Sequence, residues 1–394
     1  MGCGSLVRVG PRRLRRSTVG RLAIAILGTR GVPARYSGFE TFAEQIGVRL
    51  ASRGHGVCVY RRSRFARHGE IPGIDSVTLP AIYAKHLETL SHTFLSVLHC
   101  CSRRPDIALV CNTVNAAFLP LLTAAGIPTV LNVDGVEWQR RKWGASGRAV
   151  HRLSEHLAVH MADIIVADSR TVQDYYRTRH GCESVFIPYG GELTPPESTA
   201  FLARQGLVPG DYDLCVCRFE PENNPLTVVR ARSRLSTSTP LAMVGTAPYA
   251  SRYIAAVRRA APASVRFLGP RFADEYRQLL FDARLVVYAG EVGGTHPLLV
   301  EAMGAARPII YNGTPENIET VGHAGLAYSA GSESALVEAW KRLDRSRQLR
   351  TGLGQRAGRR ARSRYRWDAV TLAYESLFSR LAGRHGPGRG PVVG

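Results

Sequence analysis

The chain has 394 residues, 45% of them hydrophobic and 21% charged, with a formal net charge of +21. That length exceeds what one core fills and the composition excludes wholesale disorder, so two packed domains are expected. The charge sits at the ends: residues 1–21 hold six arginines and no acid, and residues 341–394 hold fourteen Lys/Arg against three acids, leaving +4 for the 319 residues between.

Residues 1–20 read as a basic, disordered leader that runs straight into a strand, unlike a signal peptide. Residues 22–27 form a short continuous apolar run, as a strand buried on both faces requires. A glycine-containing loop and an amphipathic helix over 39–53 follow, then a strand over 57–60. Further β-like runs at 76–79, 107–111, 129–133, 164–167 and 184–187 alternate with helical stretches, the pattern of a doubly wound parallel sheet. A linker rich in Gly, Pro and Glu over 188–198 resets the pattern, and a second series begins: 214–217, 241–244, 265–267, 285–288 and 309–311. The expected fold is α/β, with two Rossmann-like doubly wound domains facing across a cleft. The first covers 21–190 and the second 206–365, joined by a linker at 191–205. A C-terminal helix over 366–383 and a flexible tail over 384–394 complete the chain. No apolar run reaches the roughly 18 residues needed to span a bilayer. The longest mostly apolar stretch, 116–133, is broken by Pro120, Gly126 and Pro128. Eight cysteines show no C-x-x-C pair and sit mostly in apolar runs, as reduced thiols of a cytoplasmic protein do.

In a doubly wound sheet, ligands bind at the carboxyl ends of the strands. Four segments fall there. In residues 285–310 a strand, a Gly-Gly turn and a helix starting near Pro297 make a unit that aims backbone N–H groups at an anion. Gly293 and Gly294 let phosphate approach the backbone, and proline in the first helical turn removes no needed donor. Glu301, one turn in, can accept from a sugar or ribose hydroxyl. An ordinary βα connection would read the same way. Residues 28–41 place Gly38 just before a helix, near Arg30 and Arg35, without the lysine or spacing of a P-loop. Asp134 and Glu137 are the only acids beside Arg140, Arg141 and Lys142; Asp134 also fits an Asx-turn. Arg218 follows a strand as a permanent cation suited to a diphosphate, or to a salt bridge. The single Asp-x-Asp, Asp211-Tyr-Asp213, reads as a solvated loop, and no metal site is expected. Residues 87–101, with His92 and His99, form an apolar helical run that packs in the core or offers an acceptor or membrane surface. The basic ends suit an anionic membrane surface, a nucleic acid or plain solvent.

In order and content these segments resemble the retaining GT-B glycosyltransferases of glycosyltransferase family 4. The bacterial rhamnosyltransferase-type subgroup that builds capsular polysaccharides and exopolysaccharides is the nearest in kind. The resemblance rests on Gly28-Thr-Arg-Gly-Val-Pro-Ala-Arg-Tyr-Ser-Gly-Phe-Glu-Thr41, Asn132-Val-Asp-Gly-Val-Glu-Trp138, Arg218-Phe-Glu-Pro-Glu-Asn-Asn224, Phe267-Leu-Gly-Pro270 and Val292-Gly-Gly-Thr295, and it spans residues 22–380. It implies a nucleotide-sugar donor held mainly by the second domain. Arg218 would neutralise the diphosphate, Gly38 would present backbone N–H from the opposite side, and Gly294, Thr295 and His296 would line the donor. Glu301 would bind the ribose, and Leu268 and Gly269 would lie on the nucleobase side. Asp134 would orient the acceptor hydroxyl or stabilise a cationic sugar. Two positions depart from the family pattern: its first glutamate falls on Gly293 and its lysine on Asn223, a donor-side residue here. Both changes fit a subgroup that handles 6-deoxy sugars. The resemblance further implies transfer with retention and no protein nucleophile, with no metal or other cofactor. The acceptor would be a glycan, a lipid-linked glycan or a small molecule. Peripheral attachment to the inner face of the plasma membrane through the basic termini is then expected, and nucleic acid is not. A second reading keeps the fold as a non-catalytic nucleotide-sugar or polyanion-binding protein.

Overall fold

Seven parallel strands form the first sheet: β1 (Ala23–Leu27), β2 (Gly56–Arg62), β3 (Ile74–Leu79), β4 (Ile107–Cys111), β5 (Thr129–Val133), β6 (Ile164–Ala167) and β7 (Val185–Phe186). Their spatial order is 3-2-1-4-5-6-7. Six more build a second parallel sheet: β8 (Asp213–Val216), β9 (Leu241–Val244), β10 (Val265–Gly269), β11 (Leu285–Tyr288), β12 (Ile309–Asn312) and β13 (Leu326–Tyr328), ordered 10-9-8-11-12-13. The computed structural model describes residues 20–384 except 35–37, 85–86, 199 and 248–249, with the backbone alone for 66–68. The basic leader and the tail therefore fall almost wholly outside the described residues.

The central strands are apolar because helices cover both of their faces. Ala-Ile-Ala-Ile-Leu of β1 and Ile-Ala-Leu-Val-Cys of β4 are buried at every position, and Ile24 stands in register between Val57 and Ile107. Each fully buried Ile or Leu of this kind contributes roughly 1.5–3 kcal/mol. Helix Gly38–Ser52 buries Phe42, Ile46 and Leu50 at four-residue spacing against the first sheet.

The last helix, Trp367–Arg384, returns from the second sheet to the first. Tyr374 packs on Phe42 at 5.3 Å and its hydroxyl accepts from Asn132 at 2.8 Å, while Glu375 meets Arg53 and His55 at 2.7 and 2.9 Å. Glu319 of the second sheet's side reaches across to accept the free N–H groups of Arg170 and Thr171 at a helix start, 2.7 and 3.0 Å away. One apolar cluster therefore runs through both halves, from Ile24 and Leu109 through Tyr189 and Trp367 to Leu214 and Leu299.

Two readings of the sequence change. Strand β13 was not anticipated: it has three residues and pairs with β12 alone, too short an edge to leave a periodic signature. Asp213, expected in a solvated loop, is the first residue of β8 and is fully buried. Arg284 donates twice to its carboxylate and Trp340 Nε1 once, each at 2.8 Å. Among the described residues no helix is long and apolar enough to cross a membrane.

Candidate active site

In both sheets the strand order reverses at the first strand of the series, β1 beside β4 and β8 beside β11, and loops after these strands meet across a narrow gap. The loop after β1 leads to Gly38, the first residue of its helix. The loop after β11 leads through Gly293 and Gly294 to Pro297, the first residue of helix Pro297–Gly304. A Cβ on Gly38 would lie 2.6 Å from Pro297 Cγ, so two helix N-termini, each carrying partial positive charge, converge on one place.

Glycine is required where the halves touch. A Cβ on Gly135 would fall 2.3 Å from Gly293 Cα, and one on Gly294 would fall 1.7 Å from Asp168 Oδ1. Asp168, immediately after β6, is buried, and its Oδ2 accepts the N–H of Thr295 at 3.0 Å, while the Thr295 hydroxyl donates to the Asp168 carbonyl. Burial, and then the Asp134 charge, push the Asp168 carboxyl well above the usual carboxylate range. Asp168 bolts the turn to the first sheet.

A charged cluster lines the gap beside this bolt. After β5, Arg140 pairs with Glu137 at 2.5 Å and Asp134 at 3.4 Å. After β8, Arg218 pairs with Glu220 at 3.4 Å and keeps a third of its side chain exposed. Lys142 crosses from the first side to Glu220 at 3.4 Å and Glu222 at 3.8 Å, and Arg141 crosses to Glu291 at 2.9 Å. Burial alone would raise Glu137, but Arg140, Lys142 and His151 hold it at about 2. Burial raises Asp134 in spite of Arg140. Burial raises Glu222 as well, so Asp134 and Glu222 are the proton-accepting candidates in the cluster, while Glu137 is a fixed counter-charge.

His296, the residue before Pro297, stacks on Tyr288 at 5.0 Å and folds its ring back over Gly293, where a side chain at 293 would otherwise lie. Burial, then Arg140 and Arg218, lower its pKa to about 3, so the imidazole is neutral at any working pH. Both guanidiniums also act on Tyr288 and Asp134, which places Arg218, Arg140, Asp134 and His296 in one electrostatic neighbourhood.

The remaining sequence candidates lie around this centre. Glu301 is buried one turn into helix Pro297–Gly304 and accepts from the Tyr276 hydroxyl. Asn223 spends its amide on the Arg218 carbonyl at 2.8 Å, bracing the loop that carries the arginine. Leu268 turns into the core, and Gly269, with φ +69, is half-buried beside the exposed Pro270. Asp168, Arg140, Lys142, Glu220 and Tyr276 were not singled out from the sequence as site residues. The one available signal was an acid or a cation directly after a strand, which Asp168 gives at the end of β6. Among the described residues no three His, Cys, Asp or Glu side chains group as a metal site.

Burial pushes Glu301 up to about 7 from an ordinary 4.5. A raised carboxyl favours the folded state below the unfolded value, and that contribution is lost as pH climbs toward 7. Glu301→Gln cannot ionise, so it is expected to gain roughly 1–3 kcal/mol on the native chain between about pH 5 and about pH 8. Urea unfolding at both pH values measures this, and an unchanged difference would show the carboxyl to be solvated.

Comparisons with known proteins agree with this geometry. Residues 104–192 match a domain of unknown function, DUF1972, and residues 212–345 match the model for glycosyl transferases group 1. No curated protein matches the chain. Among solved structures, sucrose-phosphate synthase from Thermosynechococcus elongatus superposes with a TM-score of 0.79 at 18% identity, covering 92% of this chain and 99% of its own. HepE from Anabaena, in complex with UDP-glucose, gives 0.75 at 17% identity over 91% and 100%. WaaG, a glycosyltransferase involved in lipopolysaccharide biosynthesis, gives 0.70 at 14% identity over 90% and 99%. The chain has the GT-B fold, and its second half carries a glycosyl transferases group 1 domain.

Proposed function

We propose that the chain is a metal-independent glycosyltransferase that moves a hexose or a deoxyhexose such as rhamnose from a nucleoside-diphosphate sugar to a glycan, lipid-linked or small-molecule acceptor with retention. One observation carries the reading: the helix starting at Pro297 meets the helix starting at Gly38 beside a partly exposed Arg218. A dianionic diphosphate is the ligand that such an arrangement of fixed dipoles and a guanidinium suits best. HepE was crystallised with UDP-glucose on the same fold, which supports the donor class.

In this mechanism the sugar–phosphate bond breaks as negative charge grows on the leaving diphosphate. Arg218 and the positive dipole end of the Pro297 helix stabilise that charge more than the ground state, which lowers the barrier. A diphosphate oxygen takes the acceptor proton on the face from which it departs, so the anomeric configuration is kept without a protein nucleophile. Asp134, with its raised carboxyl, orients the acceptor hydroxyl. Glu301 binds the ribose, with its carboxylate aligned by the Tyr276 hydroxyl. Gly293 removes one family contact to the sugar, and the neutral His296 ring fills that space.

The test is a panel of nucleotide sugars, read by thermal shift and by nucleoside-diphosphate release in EDTA. A dTDP- or UDP-sugar is expected to stabilise the protein and to be turned over with a suitable acceptor. Binding without release would favour a sugar-nucleotide-binding protein, and a strict need for Mg²⁺ or Mn²⁺ would overturn the metal-free mechanism.

A further inference from the structure

The outer helices of the first sheet carry a surface that the cleft chemistry does not use. Helices Glu88–Arg103, Leu119–Ala124 and Ala145–Met161 cover one face of that sheet, with Val97, Leu122 and Ala158 turned inward. Their opposite side leaves Leu87, Phe94, Leu98, Leu121, Val150 and Leu153 exposed, from 39% at Leu121 to 59% at Leu153. Of twelve exposed large hydrophobic residues in the described chain, eight fall between residues 82 and 161, so the surface is a concentration rather than a scatter. Residues 87, 94 and 98 recur at helical spacing and form one stripe. The ring of Phe94 meets that of Phe118 at 5.9 Å, which joins this stripe to the segment leading into the second helix.

The exposed charges on the three helices themselves, Arg148 and Arg152, have one sign. From the first residue of these helices to the turn after them, 88–163, the chain has six acids, Glu88, Asp106, Asp134, Glu137, Glu155 and Asp163. Glu88 is buried against Arg62 at 2.5 Å, and Asp163, exposed beside Met161, accepts the Thr129 N–H at 2.7 Å. Asp106 accepts the Ala23 N–H at 2.8 Å, Asp134 and Glu137 hold Arg140 in the cleft, and the buried Glu155 accepts the Tyr175 hydroxyl at 2.9 Å. Arg104, Arg148 and Arg152 are exposed along the same helices and their ends. Large apolar side chains set among arginines, with the exposed carboxylate of Asp163 only at one helix end, match the interface of an anionic bilayer, where lipid phosphates meet the guanidiniums and the apolar groups enter the acyl boundary. A second copy of this chain, with a formal net charge of +21, would present no such negative surface.

We propose that this helical face docks the protein on an anionic membrane surface. The proposal stands independently of the chemistry in the cleft. It also differs from attachment through the basic termini: residues 1–19 lie outside the described residues, and the C-terminal arginines sit mainly on helices Arg347–Arg364 and Trp367–Arg384, away from this face in the sequence.

The experiment is co-sedimentation of the full chain with phosphatidylcholine vesicles, with and without phosphatidylglycerol, at low and high salt. The comparison is Leu98→Glu/Leu153→Glu, two exposed positions whose change should leave the melting temperature in place. The native chain is expected to bind the phosphatidylglycerol vesicles, less so at high salt, and the double variant to bind at least about tenfold more weakly. Equal binding by both proteins would assign attachment to the arginine-rich ends and overturn the proposal. So would failure of the native chain to bind, or a native self-association that the double variant abolishes.

Discussion

Arg218→Ala is expected to lower nucleoside-diphosphate release by roughly 10²–10³-fold, the range lost when one fixed donor to a developing anion is removed. The side chain is one-third exposed and its ion pair is with Glu220 at 3.4 Å, so its removal should barely move the melting temperature. Most of the loss belongs in kcat, because the charge that Arg218 meets grows as the sugar–phosphate bond breaks. Arg218→Lys keeps the charge but not the planar fork and should recover only part of the rate. Steady-state release with saturating donor measures both variants. Activity of the alanine variant within a few-fold of the native chain would remove Arg218 from the mechanism and, with it, the diphosphate reading of the gap.

Much of the scaffold of this site was legible because it follows from local chemistry. Strands buried on both faces must be apolar throughout, so β1, β4, β11 and β12 announced themselves. A Gly-Gly turn before proline marks a helix start wherever it occurs. What stayed hidden depends on partners distant in sequence. Asp168 bonds Thr295 across 127 positions, and no pattern around Asp168 names that partner. His296 could be read as a substitution, but not as the ring that fills the space over Gly293, because that depends on a χ rotation against Tyr288. Asn223 read as a donor-side residue, yet its amide braces Arg218's own loop. Asp213 misled for a related reason. An acid flanked by Asp211 and Tyr212 looks solvated until Arg284 and Trp340, 71 and 127 residues away, are brought onto it.

The largest effect on stability is expected from Asp213→Ala. The carboxylate is fully buried, Arg284 grips it with Nε and a terminal nitrogen, Trp340 donates to it, and Arg232, itself buried, stands 3.8 Å away. Removing one member of a buried pair costs more than the pair contributes, because the partner's charge stays behind without water or counter-ion. Here the Arg284 guanidinium and an indole N–H lose their acceptor and the buried Arg232 loses its nearest counter-charge, so a loss of about 3–5 kcal/mol is expected. Asp344→Ala is the natural comparison. That carboxylate also meets Arg284, but its side chain is 18% exposed and Arg284 would keep Asp213, so a cost nearer 1 kcal/mol is expected. Urea unfolding followed by circular dichroism measures both. Similar small losses in the two variants would mean that water reaches the Asp213 cluster, and that β8 is held in its sheet by apolar packing and ladder hydrogen bonds rather than by the charge at its first residue.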